Sequence, residues 1–304
     1  MASLLVGNRS VDQLGDRLRN GERRPSDFDA LTEYRRFVSQ DLVSNFASLQ
    51  AIATDESALS AARIKRLDSI VRKLIRQPRM DLSRMDDLVG VRVIVANPVA
   101  QAAVVERLLQ ALPDAKHRDY VEAPQASGYR AHHLIVPRML KLPNAEAPSK
   151  YTYEIQVRTY YQHLWSSTSE SFGEQVKEGG GSEQVRSYLL ALAELIQGVE
   201  RDTPNQDQIA IVHTTGDFGM FAIQYDHGYE TLIRCDSLGA SVSEALQHFS
   251  YLEGLVTSPS EREVVLLGCS ATEQELRVTH LRYFQPRGIP DLPTRVTPEG
   301  ERPR

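Results

Sequence analysis

Cysteine is nearly absent from this chain. Only Cys235 and Cys269 occur, far apart, with neither a CxxC partner nor a histidine at metal-ligand spacing. That excludes a disulfide framework and suits two reduced core thiols in a cytosolic protein. No apolar run approaches the roughly 20 residues that a membrane span needs. The opening MASLLVGNRS is too short and polar for a secretory signal, so the cytoplasm is the expected location. Positive charge is not in excess either: 35 Lys and Arg stand against 40 Asp and Glu among 304 residues, a net charge of −5. The chain as a whole is not a nucleic-acid-binding polycation, though a local basic pocket is compatible with these counts. Internal repeats and long low-complexity tracts are also missing.

What remains is the composition of an ordinary folded chain, 41% hydrophobic and 25% charged. Residues 1–25, polar and Arg-rich, read as an irregular lead-in. Ser26 looks like the N-cap of an amphipathic helix from Phe28 to about Ala53. ARIKRL reads as a short strand or loop, followed by a helix from Ser69 to Arg76 that the Pro78 region ends. VGVRVIVAN is β-branched and reads as a strand. A helix follows from Pro98 to Leu112, then strands HHLIVPRML and YTYEIQVRT, then helices over 160–172 and 183–199 with a GGGS break between them. RDTPNQDQ (201–208) is the expected domain boundary. Beyond it lie strands IAIVHT, FGMFAIQYD, ETLIRC and EVVLLGC, a helix SVSEALQHFSYLEGL and a final helix over 271–284. The tail 285–304 reads as disordered. The alternation indicates α+β or α/β architecture.

Four clusters could carry chemistry. Arg63, Lys65, Ser69 and Lys73 bring polar and cationic groups to a helix start, a ready phosphate site. Asp87, Gly90 and Arg92 put an acid just before a strand, where carboxylates commonly hold Mg²⁺ against a polyphosphate. Arg118, Asp119 and Tyr120, followed by Pro124 and the run Gly128 to His133, form a shaped loop with an aromatic face and anion donors. Glu154, Gln156 and Arg158 share one face of a strand. Taken singly, each also fits a plain structural role: a solvated basic helix, a capping acid, a packed loop tyrosine, a solvent-facing strand.

Their order is more telling. Arg63, Lys65, Ser69, Ile70 and Lys73 match R-x-K-x-x-x-S-I-x-x-K. Asp87, Gly90 and Arg92 match D-x-x-G-x-R. Asp119, Tyr120, Pro124, Gly128, Tyr129 and His133 match D-Y-I-x-x-P-K-x-N-G-Y-x-S-x-H, and Glu154 to Thr159 match E-x-Q-I-R-T. His163 and Trp165 stand where family members carry those residues. Over roughly residues 30–200 the sequence resembles the RelA/SpoT family of (p)ppGpp synthetases.

The resemblance implies an α+β, nucleotidyltransferase-like mixed sheet flanked by helices over 26–202, with a small α+β accessory region over 203–284. Ala245, Phe249, Leu252, Glu253, the strand Val264–Leu267, Tyr283 and Phe284 are similar to a C-terminal region of some stand-alone members. No match to the family's hydrolase domain is found upstream. The implied reaction moves pyrophosphate from ATP to the 3′-hydroxyl of GDP or GTP. Asp87 and Glu154 would be catalytic and hold Mg²⁺, with Glu154 also the general base. Arg63, Lys65, Ser69, Lys73 and Arg92 would bind ATP. Lys116, Arg118, Tyr129, His133, Gln156 and Arg158 would bind the acceptor, with Tyr129 stacked on its base. A homo-oligomer is implied.

The departures fall in the acceptor loop: Gln125 for Lys, Ser127 for Asn, Ala131 for Ser, and His132 for an apolar residue. Glu170, with Ser169, stands one place from the family's following Glu. Two other functions therefore stay open. One is a toxic relative acting on adenosine nucleotides or the tRNA 3′ end and needing an antitoxin or regulatory protein. The acidic balance weighs against tRNA. The other is an inactive nucleotide-binding regulator.

Overall fold

Strands of alternating polarity give a sheet one dry face; the central strands of this chain follow that rule, while its C-terminal strands bury apolar residues on both faces. The structure, a computed structural model, describes residues 5, 7–22, 24–53, 58–142, 145–172, 182–209, 218–226, 229, 231–239, 241–256, 262–270 and 273–284. The expected strand IAIVHT, all but its first residue, the glycines of the GGGS break and the tail 285–304 lie outside these residues.

The strands are β1 (Ala58–Ile64), β2 (Val89–Val95), β3 (Lys116–Asp119), β4 (His132–Leu140), β5 (Ser149–Thr159), β6 (Phe218–Asp226), β7 (Thr231–Ser237) and β8 (Arg262–Ser270). They form one sheet in the order β3-β4-β5-β2-β1-β8-β6-β7. Only β2 and β5 pair in parallel; every other neighbouring pair is antiparallel. The helices are α1 (Asn8–Asn20), α2 (Pro25–Ala53), α3 (Leu67–Arg76), α4 (Pro98–Ala111), α5 (Tyr160–Ser171), α6 (Glu183–Asp202), α7 (Val242–Gly254), α8 (Glu273–Thr279) and α9 (Leu281–Phe284). A 3₁₀ turn spans Leu82–Arg84. The fold is thus α+β, with a mixed sheet flanked by helices.

The dry face takes alternate residues: Ala62 and Ile64 from β1, Val91, Val93 and Val95 from β2, Tyr153, Ile155 and Val157 from β5. Helices α1, α2, α4 and α7 cover it, with Leu31, Phe46, Leu108 and Phe249 fully buried. Helix starts follow local chemistry. The Asn97 side chain accepts from Ala100 N ahead of α4, with Pro98 at its first position. Thr159 and Gln162 form a capping box for α5.

Four expectations need correction. Residues 1–25 are not irregular, since α1 occupies 8–20 and Val11, Leu14 and Leu18 on its inner face are fully buried. Its arginines serve the fold: Arg17 pairs with Asp27 at 2.7 Å, and Arg19 donates to the carbonyls of Leu74 and Met80. The helix expected from Phe28 starts at Pro25, so Ser26, the expected N-cap, sits inside its first turn. Segment 201–208 is not a free boundary. Gln208 N donates to Ala96 O at 2.8 Å, Asn97 Nδ2 to Asp207 Oδ1 at 2.6 Å, and Tyr161 N to the Gln208 side chain at 2.8 Å. Beyond it β8, β6 and β7 extend the same sheet from the edge of β1, and Met220, Phe249 and Leu266 join the same core. Finally, the last helix is broken at Thr279. Its hydroxyl bonds back to Glu275 O at 2.8 Å while its carbonyl accepts from Arg92.

A buried polar knot holds α6 against the sheet. Glu200 accepts from Arg130 Nη1 at 2.9 Å, from Gln162 Nε2 at 3.2 Å and from the Thr159 hydroxyl. Removing one partner of such a pair leaves the other charge buried alone. Glu200→Ala is expected to cost about 3–5 kcal/mol, measured as a lowered midpoint in urea unfolding. A loss under about 1 kcal/mol would mean that Arg130 finds water instead.

Candidate active site

The other face of the sheet keeps its polar residues at the centre. From β1 come Arg63 and, just past its end, Lys65; from β2 come Gly90 and Arg92; from β5 come Glu154, Gln156 and Arg158. With Ser69, Lys73 and Arg76 of α3, Asp87 from the turn before β2, Glu170 of α5 and His280, they line one cleft. The parallel register sets Gly90 beside Glu154 and Arg92 beside Gln156. A glycine at 90 leaves the floor open: a Cβ there would meet only Glu154 O at 3.9 Å, so larger side chains would project into the cleft.

The cleft's charge opposes that of the chain. Six cationic side chains face three carboxylates, although the whole chain is at −5. Asp87 is gripped by Lys65 Nζ and Lys73 Nζ, each at 2.8 Å. Burial alone would raise the Asp87 carboxyl, but the two ammonium charges outweigh it and hold it well below the usual carboxylate range. Burial lowers Lys65 in turn, with Asp87 pulling the other way. Neighbouring Asp86 is engaged elsewhere, accepting from the Thr152 hydroxyl at 2.8 Å with Arg118 at 3.6 Å. Burial, with the charge of Arg158 alongside, pushes Arg92 down to about 10, still protonated at neutral pH.

Glu154 sits at the end of a side-chain relay. Arg158 Nη2 donates to the Tyr129 hydroxyl at 2.9 Å. That hydroxyl lies 2.6 Å from His133 Nε2, and His133 Nδ1 lies 2.7 Å from Glu154 Oε1. A tyrosine accepting from arginine donates its own proton onward, so His133 carries hydrogen at Nδ1 and gives it to Glu154. Gln156 Nε2 donates to the other oxygen, Oε2, at 2.6 Å. Burial pushes Glu154 up, but the hydrogen bonds from His133 and Gln156 outweigh it, leaving an ionised carboxylate. Among the described residues Arg158 Nε and Nη1 and Arg92 Nε have no partner, so these buried cations keep donor capacity in reserve.

The structure therefore brings Arg63, Lys65, Ser69, Lys73, Asp87, Arg92, Glu154, Gln156 and Arg158 together. His133 and Tyr129 adjoin them through Glu154 and Arg158. Lys116 and Arg118 lie farther out on β3, with Arg118 opposite His133 in the register. Tyr129 differs from expectation in one respect. Its hydroxyl is committed to the relay and the Arg158 guanidinium covers a ring face at 5.2 Å from the centroid. Gly128, at φ +88°, makes the turn before it and presses on α6, where a Cβ would lie 2.8 Å from Ala193 Cβ. Trp165 packs between α5 and α6 and donates to Leu189 O at 2.8 Å.

Three lining residues with polar side chains were not picked as site residues: Arg76, Glu170 and His280. Arg76 continues the α3 face one turn past Lys73. His280 arrives from the far end of the chain, held beside Arg92 Nη1 on Thr279 O at 3.0 Å and His163 Nε2 on Val278 O at 3.0 Å. Burial, then the Arg92 charge, keeps both His163 and His280 well below the ordinary histidine range, so both are neutral.

A basic cleft floored by a parallel strand pair and carrying three carboxylates has the chemistry that suits polyphosphate and a hard cation. Residues 62–172 match the family model described as the region found in RelA/SpoT proteins. The chain is 26% identical over 181 residues to GTP pyrophosphokinase YjbM of Bacillus subtilis, covering 57% of this chain and 84% of that one. It is 31% identical over 113 residues to GTP pyrophosphokinase YwaC of the same organism, covering 35% and 53%. Among solved structures it is similar to B. subtilis small alarmone synthetase 1 bound to its product pppGpp, with a TM-score of 0.47 at 23% identity over 56% of this chain and 90% of that one. Residues 62–172 are thus similar to the region found in RelA/SpoT proteins.

The lysine grip on Asp87 has a pH signature. The folded protein resists protonating Asp87 more than the unfolded chain does. Ionised Asp87 thus stabilises the fold above the unfolded value of about 3.9, and that contribution is lost as pH falls through the lower folded value. Urea midpoints of the wild type are expected to fall more steeply below about pH 4 than those of Asp87→Asn. Parallel profiles would contradict the pairing.

Proposed function

We propose that this protein is a cytoplasmic, ATP-dependent nucleotide 3′-pyrophosphokinase, with GDP or GTP as acceptor. The RelA/SpoT match makes it a pyrophosphotransferase-class enzyme. The observation that carries the finer reading is the relay-held, ionised Glu154 across the cleft from the Lys65–Asp87–Lys73 cluster.

In this reading the acceptor 3′-oxygen attacks the β-phosphorus of ATP. The bond from that phosphorus to the α–β bridging oxygen breaks, and AMP leaves. The hydroxyl proton passes to Glu154, whose two oxygens are aimed by His133 and Gln156. Lys65 and Lys73 face charge building on the transferred group, and Arg63 and Arg92 hold the rest of the donor. Arg158 and Arg118 steady acceptor phosphates. The Asp87 and Glu154 carboxylates fit Mg²⁺, which favours one or two carboxylates alongside substrate phosphates. The chemistry such a cation supplies is neutralisation and orientation of phosphate oxygens.

The acceptor side carries the changes. Gln125 and Ser127 stand in the turn that presents Tyr129, with Gly128 N donating to Gln125 O at 2.8 Å. A lysine lost there removes about 1.5–3 kcal/mol of charge-assisted contact, which favours weaker or redirected acceptor binding as the second reading. Purified protein with ATP labelled in its β- and γ-phosphates is expected to label GDP or GTP in preference to AMP, ADP or tRNA. Label appearing only on adenosine nucleotides or tRNA would sink the guanosine assignment. Glu154→Gln is expected to slow transfer by about 10²–10⁴-fold with ATP affinity nearly unchanged, read by calorimetry beside the transfer assay.

A further inference from the structure

The sheet face opposite the cleft carries its own polar cluster at the β3–β4 end. His117 and Asp119 alternate with the cleft-facing Lys116 and Arg118 on β3, and His132 opens β4 directly across from Asp119. His117 Nε2 lies 3.1 Å from His132 Nδ1, and His132 Nδ1 lies 3.5 Å from Asp119 Oδ1. The imidazoles stack with centroids 5.2 Å apart. One ligand atom from each of the three residues falls within 4.8 Å of the others.

These separations suit coordination. Bonds of about 2.0–2.1 Å in a tetrahedral site put neighbouring donor atoms about 3.3–3.4 Å apart, and the observed 3.1 and 3.5 Å bracket that value. The groups are also in ligating form. Burial lowers His132, so its ring is neutral at neutral pH. Asp119 is ionised: burial raises it, but the hydrogen bonds from Glu122 N and Val121 N outweigh that. Val121 N and Glu122 N donate to Asp119 Oδ1 at 2.8 and 2.9 Å and fix the carboxylate's orientation. A shallow hollow beside α4, with Glu106 and Gln110 on its wall, leaves room for water or a further ligand.

We propose that His117, Asp119 and His132 bind a borderline divalent transition-metal ion, of which Zn²⁺ is the type, at a site separate from the Asp87–Glu154 pair. Two imidazoles and one carboxylate favour such ions over Mg²⁺ or Ca²⁺. The ion would clamp the two ends of the loop over 120–131. That loop carries Tyr129, and His133, the next residue in the relay, adjoins His132. Its effect would therefore be to stiffen the presentation of the Tyr129–His133–Glu154 relay. The site does not depend on the pyrophosphotransferase reading.

Untagged full-length protein stripped with chelator and titrated with Co²⁺ tests it. One equivalent is expected to give visible d–d absorption that Zn²⁺ displaces. The exposed His117→Ala and the partly buried His132→Leu are expected to weaken binding by at least about tenfold, the scale already seen for outer-shell partners, with circular dichroism confirming their fold. Asp87→Asn/Glu154→Gln is expected to bind Co²⁺ as the wild type does. No stoichiometric binding by the wild type would overturn the proposal. So would binding unchanged in both histidine variants, or binding lost in the Asp87→Asn/Glu154→Gln variant.

Discussion

The parallel pairing of β2 with β5 is the constraint from which the site follows. Because Gly90 lies beside Glu154 and Arg92 beside Gln156, one face of two adjacent strands carries Arg92, Glu154, Gln156 and Arg158 while the other carries Val91, Val93, Ile155 and Val157. A shift of one residue in either strand would turn those charges into the core and the valines into the cleft. The buried face makes that register expensive to leave, so hydrophobic packing on one side positions the charges on the other. β1 then adds Arg63 and Lys65 by the same alternation, and α3, directly after it, adds Ser69 and Lys73.

Electrostatics explains how the cleft holds its charges together. Six cations in one cleft would repel, yet Asp87 bridges Lys65 and Lys73, and Glu154 and Glu170 share the remaining field. The relay of Arg158, Tyr129, His133 and Glu154 spends further donors on oriented bonds. Arg92 reaches across to Thr279 O, which ties the chain's C-terminal strands and helices to the cleft wall. Those strands extend the central sheet, so the region after residue 202 shapes the site as part of one framework.

Much of this was legible in the sequence, and the reason is local. Arg63 to Lys73, Asp87 to Arg92 and Glu154 to Arg158 each place their groups by alternation along a strand or by spacing along a helix, and their order matched one family. What was not legible depends on contacts between distant segments. His280 lies 188 positions from Arg92, and only the packing of α8 against β1 brings it in. The first helix was hidden because its segment is polar and Arg-rich, whereas Arg19 caps carbonyls of α3 and the following turn and Arg17 pairs with Asp27. Tyr129 offered an aromatic face in sequence, but the bonds of its hydroxyl to Arg158 and His133 were invisible to pattern. His132 stood out only as a departure from the family pattern. Its neighbours His117 and Asp119 gave it meaning once β3 was seen to pair with β4.

The central claim is that the cleft directs attack to the β-phosphorus of ATP. The most direct test is to quantify adenine products by chromatography while the protein turns over ATP with GDP or GTP. One AMP formed for each acceptor molecule converted is the predicted result. ADP with orthophosphate, or ADP with a monophosphorylated acceptor, would contradict it.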